Sequence, residues 1–248
     1  MISFENRVAV VTGAGRGLGA GYARLLASRG AAVVVNDPGV AADGTATEAT
    51  PAEEVAAEIR AAGGAAVAEH SSVSTPEGGA AIVQKALDEF GRVDILINNA
   101  GILRDKAFHN LEWPNLDAVL DVHLRGAFFV TQPAFRAMRA QAYGRIVFTT
   151  SNAGVLGNFG QANYAAAKMG LVGLMNVLKL EGAKYDIKVN TVAPVAASRL
   201  TQGILPPDVL DKMKPEFVAP LVLYLCAAQC EVSGRIYNAG MGYFSRAA

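Results

Sequence analysis

The sequence predicts a doubly wound α/β domain: seven strands in one mostly parallel sheet, helices on both faces, all within residues 1–248. Three observations predict it. Short β-branched runs alternate with alanine-rich stretches long enough for right-handed helical crossovers. Each run is apolar nearly throughout instead of alternating, as strands buried on both faces of a parallel sheet are. The 248 residues are 52% hydrophobic with mean hydropathy +0.26, enough for one substantial core.

The runs, in order, are VAVVT (8–12), AVVVN (32–36), AAVAE (65–69), VDILIN (93–98), RIVFTT (145–150), IKVNTVA (187–193) and RIYNA (235–239). Glycines follow the first run and lead into a helix reaching about Ser28. After the second, 38–50 is small, polar and loop-like. A helix then starts near Pro51, where proline and the carboxylates of Glu53 and Glu54 suit a first turn. Tyr164 to Glu181 is an alanine-rich helix, and Ala219 to Ala228 an apolar one. The interruption at 205–208, Leu-Pro-Pro-Asp, lies between the sixth strand and the last helix and is expected at the rim of a ligand site, since such folds bind at the carboxyl ends of their strands.

Composition excludes several classes of function. With 22 basic and 22 acidic residues there is no electrostatic footprint for nucleic acid or an anionic membrane. The N-terminus lacks the basic region of a signal peptide, and no run of about eighteen apolar residues could span a bilayer. Cys226 and Cys230, the two cysteines, fit neither a Cys-x-x-Cys redox pair nor a zinc site. They read as core thiols in a reducing, cytoplasmic protein, with no metal expected.

The first candidate site is Thr12-Gly-Ala-Gly-Arg-Gly-Leu-Gly19. Gly13, Gly15, Gly17 and Gly19, with Arg16 and Leu18 between them, would let backbone approach a pyrophosphate at a helix N-terminus. The literal G-x-G-x-x-G is absent, and G-x-G-x-x-A occurs only as Gly15, Gly17 and Ala20. Asp37 ends the second run, 24 residues after Gly13, where a carboxylate would bind adenosine ribose hydroxyls and repel a 2′-phosphate. Arg16 pulls toward the phosphate. Asp37 outweighs it, and the expected cofactor is NAD rather than NADP. Asn98-Asn99-Ala100-Gly101 after the fourth run suits packing against adenosine.

The second is Gln161-Ala-Asn-Tyr-Ala-Ala-Ala-Lys-Met-Gly170. Tyr164 and Lys168, four apart, share one helix face. Together with TGxxxGxG, NNAG and Ser151, this YxxxK resembles the short-chain dehydrogenase/reductase family along nearly the whole chain. The resemblance implies a Rossmann-like fold and an oxidoreductase acting on CH–OH groups with NAD(P). It implies Tyr164 as general acid/base, Lys168 beside the cofactor ribose and Ser151 on the substrate oxygen. A free phenol, with pKa about 10, is a weak base at neutrality, and the Lys168 cation is expected to lower it. Ser72, Val73 and Pro194 complete the implied cofactor contacts.

Three positions depart from that family. His123 stands where an asparagine is usual, so either its main-chain carbonyl holds a relay water near Lys168 or the imidazole acts directly. Ser71 and Ser72 replace an acid after the third strand, and Pro194-Val195 replaces Pro-Gly after the sixth.

Longer strings are similar to the (3R)-hydroxyacyl-CoA dehydrogenase domains of peroxisomal multifunctional enzymes: 99–105 (NAGILRD), 122–126 (VHLRG), 143–146 (YGRI), 157–164 (GNFGQANY), KPE at 214–216 and VAPLV at 218–222. That likeness implies interconversion of 3-hydroxyacyl-CoA and 3-oxoacyl-CoA. A 17β-hydroxysteroid or other secondary alcohol is the alternative substrate, and a non-catalytic NAD-binding regulator the alternative role. Leu156, Phe159, Val195 and Leu200 would line an apolar substrate pocket, with Arg104 and Lys106 near CoA phosphates. Ending at Ala248 without Ser-Lys-Leu, the chain is expected to be free-standing. The apolar GLVGLMNVL continuing past Lys168 suggests a homodimer or homotetramer.

Overall fold

A computed structural model describes residues 2–45, 50–196 and 213–247. Seven strands fall on the seven runs: β1 (Val8–Thr12), β2 (Ala32–Asn36), β3 (Ala65–Glu69), β4 (Ile95–Asn98), β5 (Gly144–Thr149), β6 (Ile187–Val195) and β7 (Ile236–Gly240). All pair in parallel within one sheet. The sheet has eight strands, not seven, in the order β3-β2-β1-β4-β5-β6-β7-β8. The added strand, β8 (Tyr243–Arg246), runs antiparallel to β7. Met241 and Gly242 join them with φ of 54° and 77°, the left-handed pair whose twist suits a two-residue hairpin. Methionine in the first turn position, where asparagine or aspartate is the usual signal, hid that hairpin from the sequence.

The helices are α1 (Gly17–Ala27), α2 (Pro51–Ala61), α3 (Pro76–Phe90), α4 (Trp113–Leu120), α5 (Gly126–Gln141), α6 (Asn152–Val155), α7 (Ala162–Gly182) and α8 (Ala219–Cys226). Successive strand residues point to opposite faces. Ala9, Val11, Val33, Val35, Ile95 and Ile97 pack with α1, α2 and α8, whereas Val8, Val10, Val34 and Leu96 pack with α3, α5 and α7. Both faces are covered, which is why the runs carry no polar alternation.

Two boundaries differ from expectation for electrostatic reasons. β4 starts two residues late because the Asp94 carboxylate accepts the Val8 N–H at 2.9 Å and pairs with Arg7 and Arg92. α8 ends at Cys226 because buried Arg145 takes the carbonyls of Ala227 and Ala228, at 3.1 and 3.2 Å. Cys226 and Cys230 are free, buried thiols, raised above their ordinary pKa by that burial. No helix among the described residues is long and apolar enough to cross a membrane.

Between α4 and α5, residues Asp121–Arg125 form a π-turn, closed by Gly126 N–H donating to the Asp121 carbonyl. Such widened turns favour functional sites. Here the turn carries His123 inward beneath the crevice between β1 and β4, where the strand order reverses.

Candidate active site

At the carboxyl end of β1 the backbone of the glycine turn is crowded by its neighbours. A Cβ on Gly15 would lie 2.6 Å from Pro51 Cβ and 2.8 Å from Asp37 Oδ2, and one on Gly19 would lie 2.2 Å from the Gly13 carbonyl oxygen. Gly17, at φ 53°, faces open space. The first turn of α1 has no acidic residue, and Arg16 at its cap makes no side-chain cap bond. Its N–H groups therefore have no competing side chain, which fits a pyrophosphate.

Asp37 is fixed beside the turn: its carboxylate accepts from Gly15 N at 3.1 Å and Gly39 N at 2.9 Å. Thr12, which the sequence offered only as part of a string, organises the other side. Its hydroxyl accepts from Asn99 N at 3.0 Å and Ala100 N at 3.1 Å, and Asn99 Nδ2 donates to the Thr12 and Gly13 carbonyls, both at 3.1 Å. The Asn-Asn-Ala-Gly stretch is thereby tied to the glycine turn. Ser72 is exposed and bonded to Ser74, while Val73 is buried. The acid near the end of β3 is Glu69, inside the strand, accepting from Asn36 Nδ2 at 2.6 Å and Ser71 N at 2.9 Å. Pro194 and Val195 lie within β6, paired with Ala239 and Gly240, not after it.

Ser151, Tyr164 and Lys168 come together at the ends of β5 and the start of α7. Ser151 caps α6, accepting from Ala153 N at 3.1 Å, and its hydroxyl faces the Tyr164 phenol, an influence that favours the ionised form. Burial acts more strongly and raises the phenol above its ordinary pKa. Lys168 does not produce the expected lowering in the protein alone. It is fully buried, which brings its own pKa down to about 7, and its Nζ donates to the Thr149 carbonyl at 2.6 Å. That ammonium lies 5.3 Å from the Tyr164 ring centroid.

His123 stacks edge-on against Tyr164 at 5.1 Å between centroids. Its Nε2 meets both the N–H and the carbonyl of Ile102, at 3.1 and 2.7 Å. Burial, then Lys168, depress its pKa well below the usual value, so the ring is neutral. A Cβ on Gly101 would lie 2.4 Å from His123 Cε1, so this glycine makes room for the imidazole. Thr12, Val73, Asn98, Ala100, His123 and Lys168 line a small cavity of about 10 Å³, the size of one water.

The expected substrate residues divide. Leu156 and Phe159 stand 81% and 90% exposed between α6 and α7, and Val195 is half-buried. Arg104 is committed elsewhere: its Nε donates to the Asp43 carbonyl at 2.9 Å. Lys106 is exposed. Leu200 and the 205–208 interruption lie outside the described residues.

The short chain dehydrogenase family profile matches residues 7–202. The chain is 55% identical over its full length to a Mycobacterium tuberculosis protein described as a short-chain type dehydrogenase/reductase, covering 87% of it. It is 49% identical over 99% of its length to the mouse peroxisomal multifunctional enzyme type 2, of which it spans 33%. A crystal structure of a short chain dehydrogenase from Mycobacterium avium superposes with TM-score 0.89 at 41% identity, over 99% of this chain and 86% of that one. The chain therefore belongs to the short-chain dehydrogenases, oxidoreductases that act on CH–OH groups with a nicotinamide cofactor.

Proposed function

We propose that this dehydrogenase interconverts (3R)-3-hydroxyacyl-CoA and 3-oxoacyl-CoA with NAD. The observation that carries the reading is the 49% identity over nearly the whole chain to the mouse peroxisomal multifunctional enzyme type 2. Leu156 and Phe159, exposed and apolar in the segment between Ser151 and Tyr164, suit an acyl chain. The carboxylate of Asp37, fixed against Gly15, supports NAD over NADP.

When bound, the nicotinamide accepts or donates the hydride at C3 of the substrate. The chain supplies the rest. Ser151 donates to the substrate oxygen and holds it near the phenol. Tyr164 takes the hydroxyl proton during oxidation and returns it during reduction. Lys168, its Nζ held on the Thr149 carbonyl, would bind the cofactor ribose. His123, neutral and bonded to the Ile102 backbone, braces the loop and the ring of Tyr164.

The test is the initial rate of NADH oxidation with a 3-oxoacyl-CoA, comparing NADH with NADPH and wild type with Tyr164→Phe. Turnover preferring NADH and falling about 10²–10⁴-fold in the variant is expected. Binding of NADH without turnover of the thioester would overturn the acyl-CoA reading and direct attention to hydroxysteroids.

A further inference from the structure

The sheet order sets β2, β1 and β4 side by side, with the glycine turn leaving the middle strand. The chain that leaves β2 does not stay on its own side. Leu103 N–H, beyond the end of β4, donates to the Ala42 carbonyl at 3.1 Å, and Arg104 Nε donates to the Asp43 carbonyl at 2.9 Å. Residues 38–45 therefore cross the carboxyl end of β1 and fasten on the far side of the crevice. β2 and β4 stand about 10 Å apart, two strand spacings, while the six residues 38–43 reach about 20 Å when extended. That leaves slack enough to arch over a ligand.

Both ends of the crossing are tied to the site. At its root, Gly39 N–H donates to Asp37 Oδ1 at 2.9 Å, so it starts from the carboxylate expected to hold the adenosine ribose. At its far end a tight turn presents the Ala42 and Asp43 carbonyls side by side. Ala41 N–H donates to the Thr45 carbonyl at 2.8 Å and Gly44 N–H to the Ala41 carbonyl at 3.0 Å, while Asp43 Oδ1 accepts from Thr45 N at 3.0 Å and the Thr45 hydroxyl at 2.8 Å. Gly44, at φ 90°, lies against Ile102: a Cβ there would be 3.3 Å from Ile102 Cδ1. The Ile102 backbone in turn meets His123, whose ring abuts Tyr164. A ligand running from Asp37 toward Tyr164 passes beneath the crossing, and lids held by polar contacts of this kind open on microsecond to second timescales.

We propose that residues 38–45 form a strap over the dinucleotide crevice, latched by Arg104, which must open for the cofactor to enter and to leave. The proposal rests on the cofactor lying from the glycine turn to Lys168 and is independent of which alcohol is oxidised. Strap and latch act on both rates alike, because the same opening admits and releases the ligand.

Stopped-flow fluorescence of NADH, with no substrate present, measures association and dissociation. Arg104→Met keeps the aliphatic body of the side chain and removes the donor to Asp43. Gly44→Val acts from the strap itself, where a branched residue at φ 90° is strained and presses on Ile102. Each variant should raise the association and dissociation rates together by about 3–10-fold, the worth of one hydrogen bond, with Kd little changed. The double variant should add little to either, since both substitutions open one latch. Amide hydrogen exchange at Leu103 should quicken in both. Unchanged rates in both variants would overturn the proposal. So would a faster dissociation confined to Arg104→Met with association unaltered, which would make Arg104 a direct contact to the cofactor. Failure of the wild-type protein to bind NADH would remove the strap and the cofactor reading together, whereas the expected rates without turnover of any acyl-CoA would uphold the strap and remove the acyl-CoA reading alone.

Discussion

Lys168 carries an ammonium into a place closed to bulk water, and the consequence is a group that titrates near pH 7. Its folded pKa lies below the unfolded value of 10.5, so between about 7 and 10.5 the unfolded chain binds more protons. Stability therefore rises with pH across that window, and below about 7 the full penalty of the buried charge is present. Lys168→Met removes the penalty: its melting temperature relative to wild type should be most favourable at pH 6 and lose that advantage toward pH 8.5. Differential scanning fluorimetry across that range checks it, and parallel curves for the two proteins would show that Lys168 does not titrate there. At the same scale, Asp37→Ser should narrow the preference for NADH over NADPH, measured as a ratio of kcat/KM, by removing the carboxylate that opposes a 2′-phosphate. Ser151, Tyr164, Lys168 and Asp37 were legible in the sequence because each follows a strand or sits at helical spacing. Thr12 was not, because a threonine ending a strand is ordinary until the neighbouring strand brings Asn99 and Ala100 to its hydroxyl.

The π-turn between α4 and α5 shows how an element rather than a residue sets the site. It turns His123 inward, where the ring fills the space above Gly101 and its Nε2 is held against the Ile102 backbone. Gly101→Ala would drive a methyl to 2.4 Å from His123 Cε1, and a clash of this kind costs about 1–3 kcal/mol. For a chain of this size that is a fall in melting temperature of roughly 2–12 °C. His123→Asn shortens the opposing side chain, so the double variant should regain part of that loss. A double-mutant cycle by thermal denaturation reads the coupling, and strict additivity would show that the two residues do not compete for the same space. The sequence exposed the histidine as a departure, but nothing in the residues Asp121–Arg125 announces an i to i+5 turn. The β7–β8 hairpin escaped notice for a related reason: its left-handed turn is carried by methionine. The parallel strands, by contrast, were legible because burial on both faces leaves continuous apolar runs.

Across the whole molecule, one helix layer remains unfinished. α7 buries Ala167, Leu171, Val172 and Met175 against the sheet, yet Met169, Val177 and Leu180 on its outer side are exposed, spaced along one stripe with Gly173, which meets nothing within 4 Å. Phe128 on α5 is also half exposed on this layer. A helix apolar on two sides needs two packing partners, and the sheet provides one. We infer that the stripe packs against its own copy, since a surface that meets itself closes into a symmetric dimer. The gap at Gly173 lets two such helices approach closely. Placing charge in the stripe, as Val177→Glu with Leu180→Arg, should shift the mass measured by light scattering from oligomer to monomer while the far-ultraviolet circular dichroism is retained. Because Lys168 and Val177 belong to one helix, loosening the stripe should also weaken catalysis, through less firm placement of Tyr164. An unchanged mass in the double variant would assign the assembly to another surface, and the exposed Tyr243 and Phe244 of β8 would be the next to substitute.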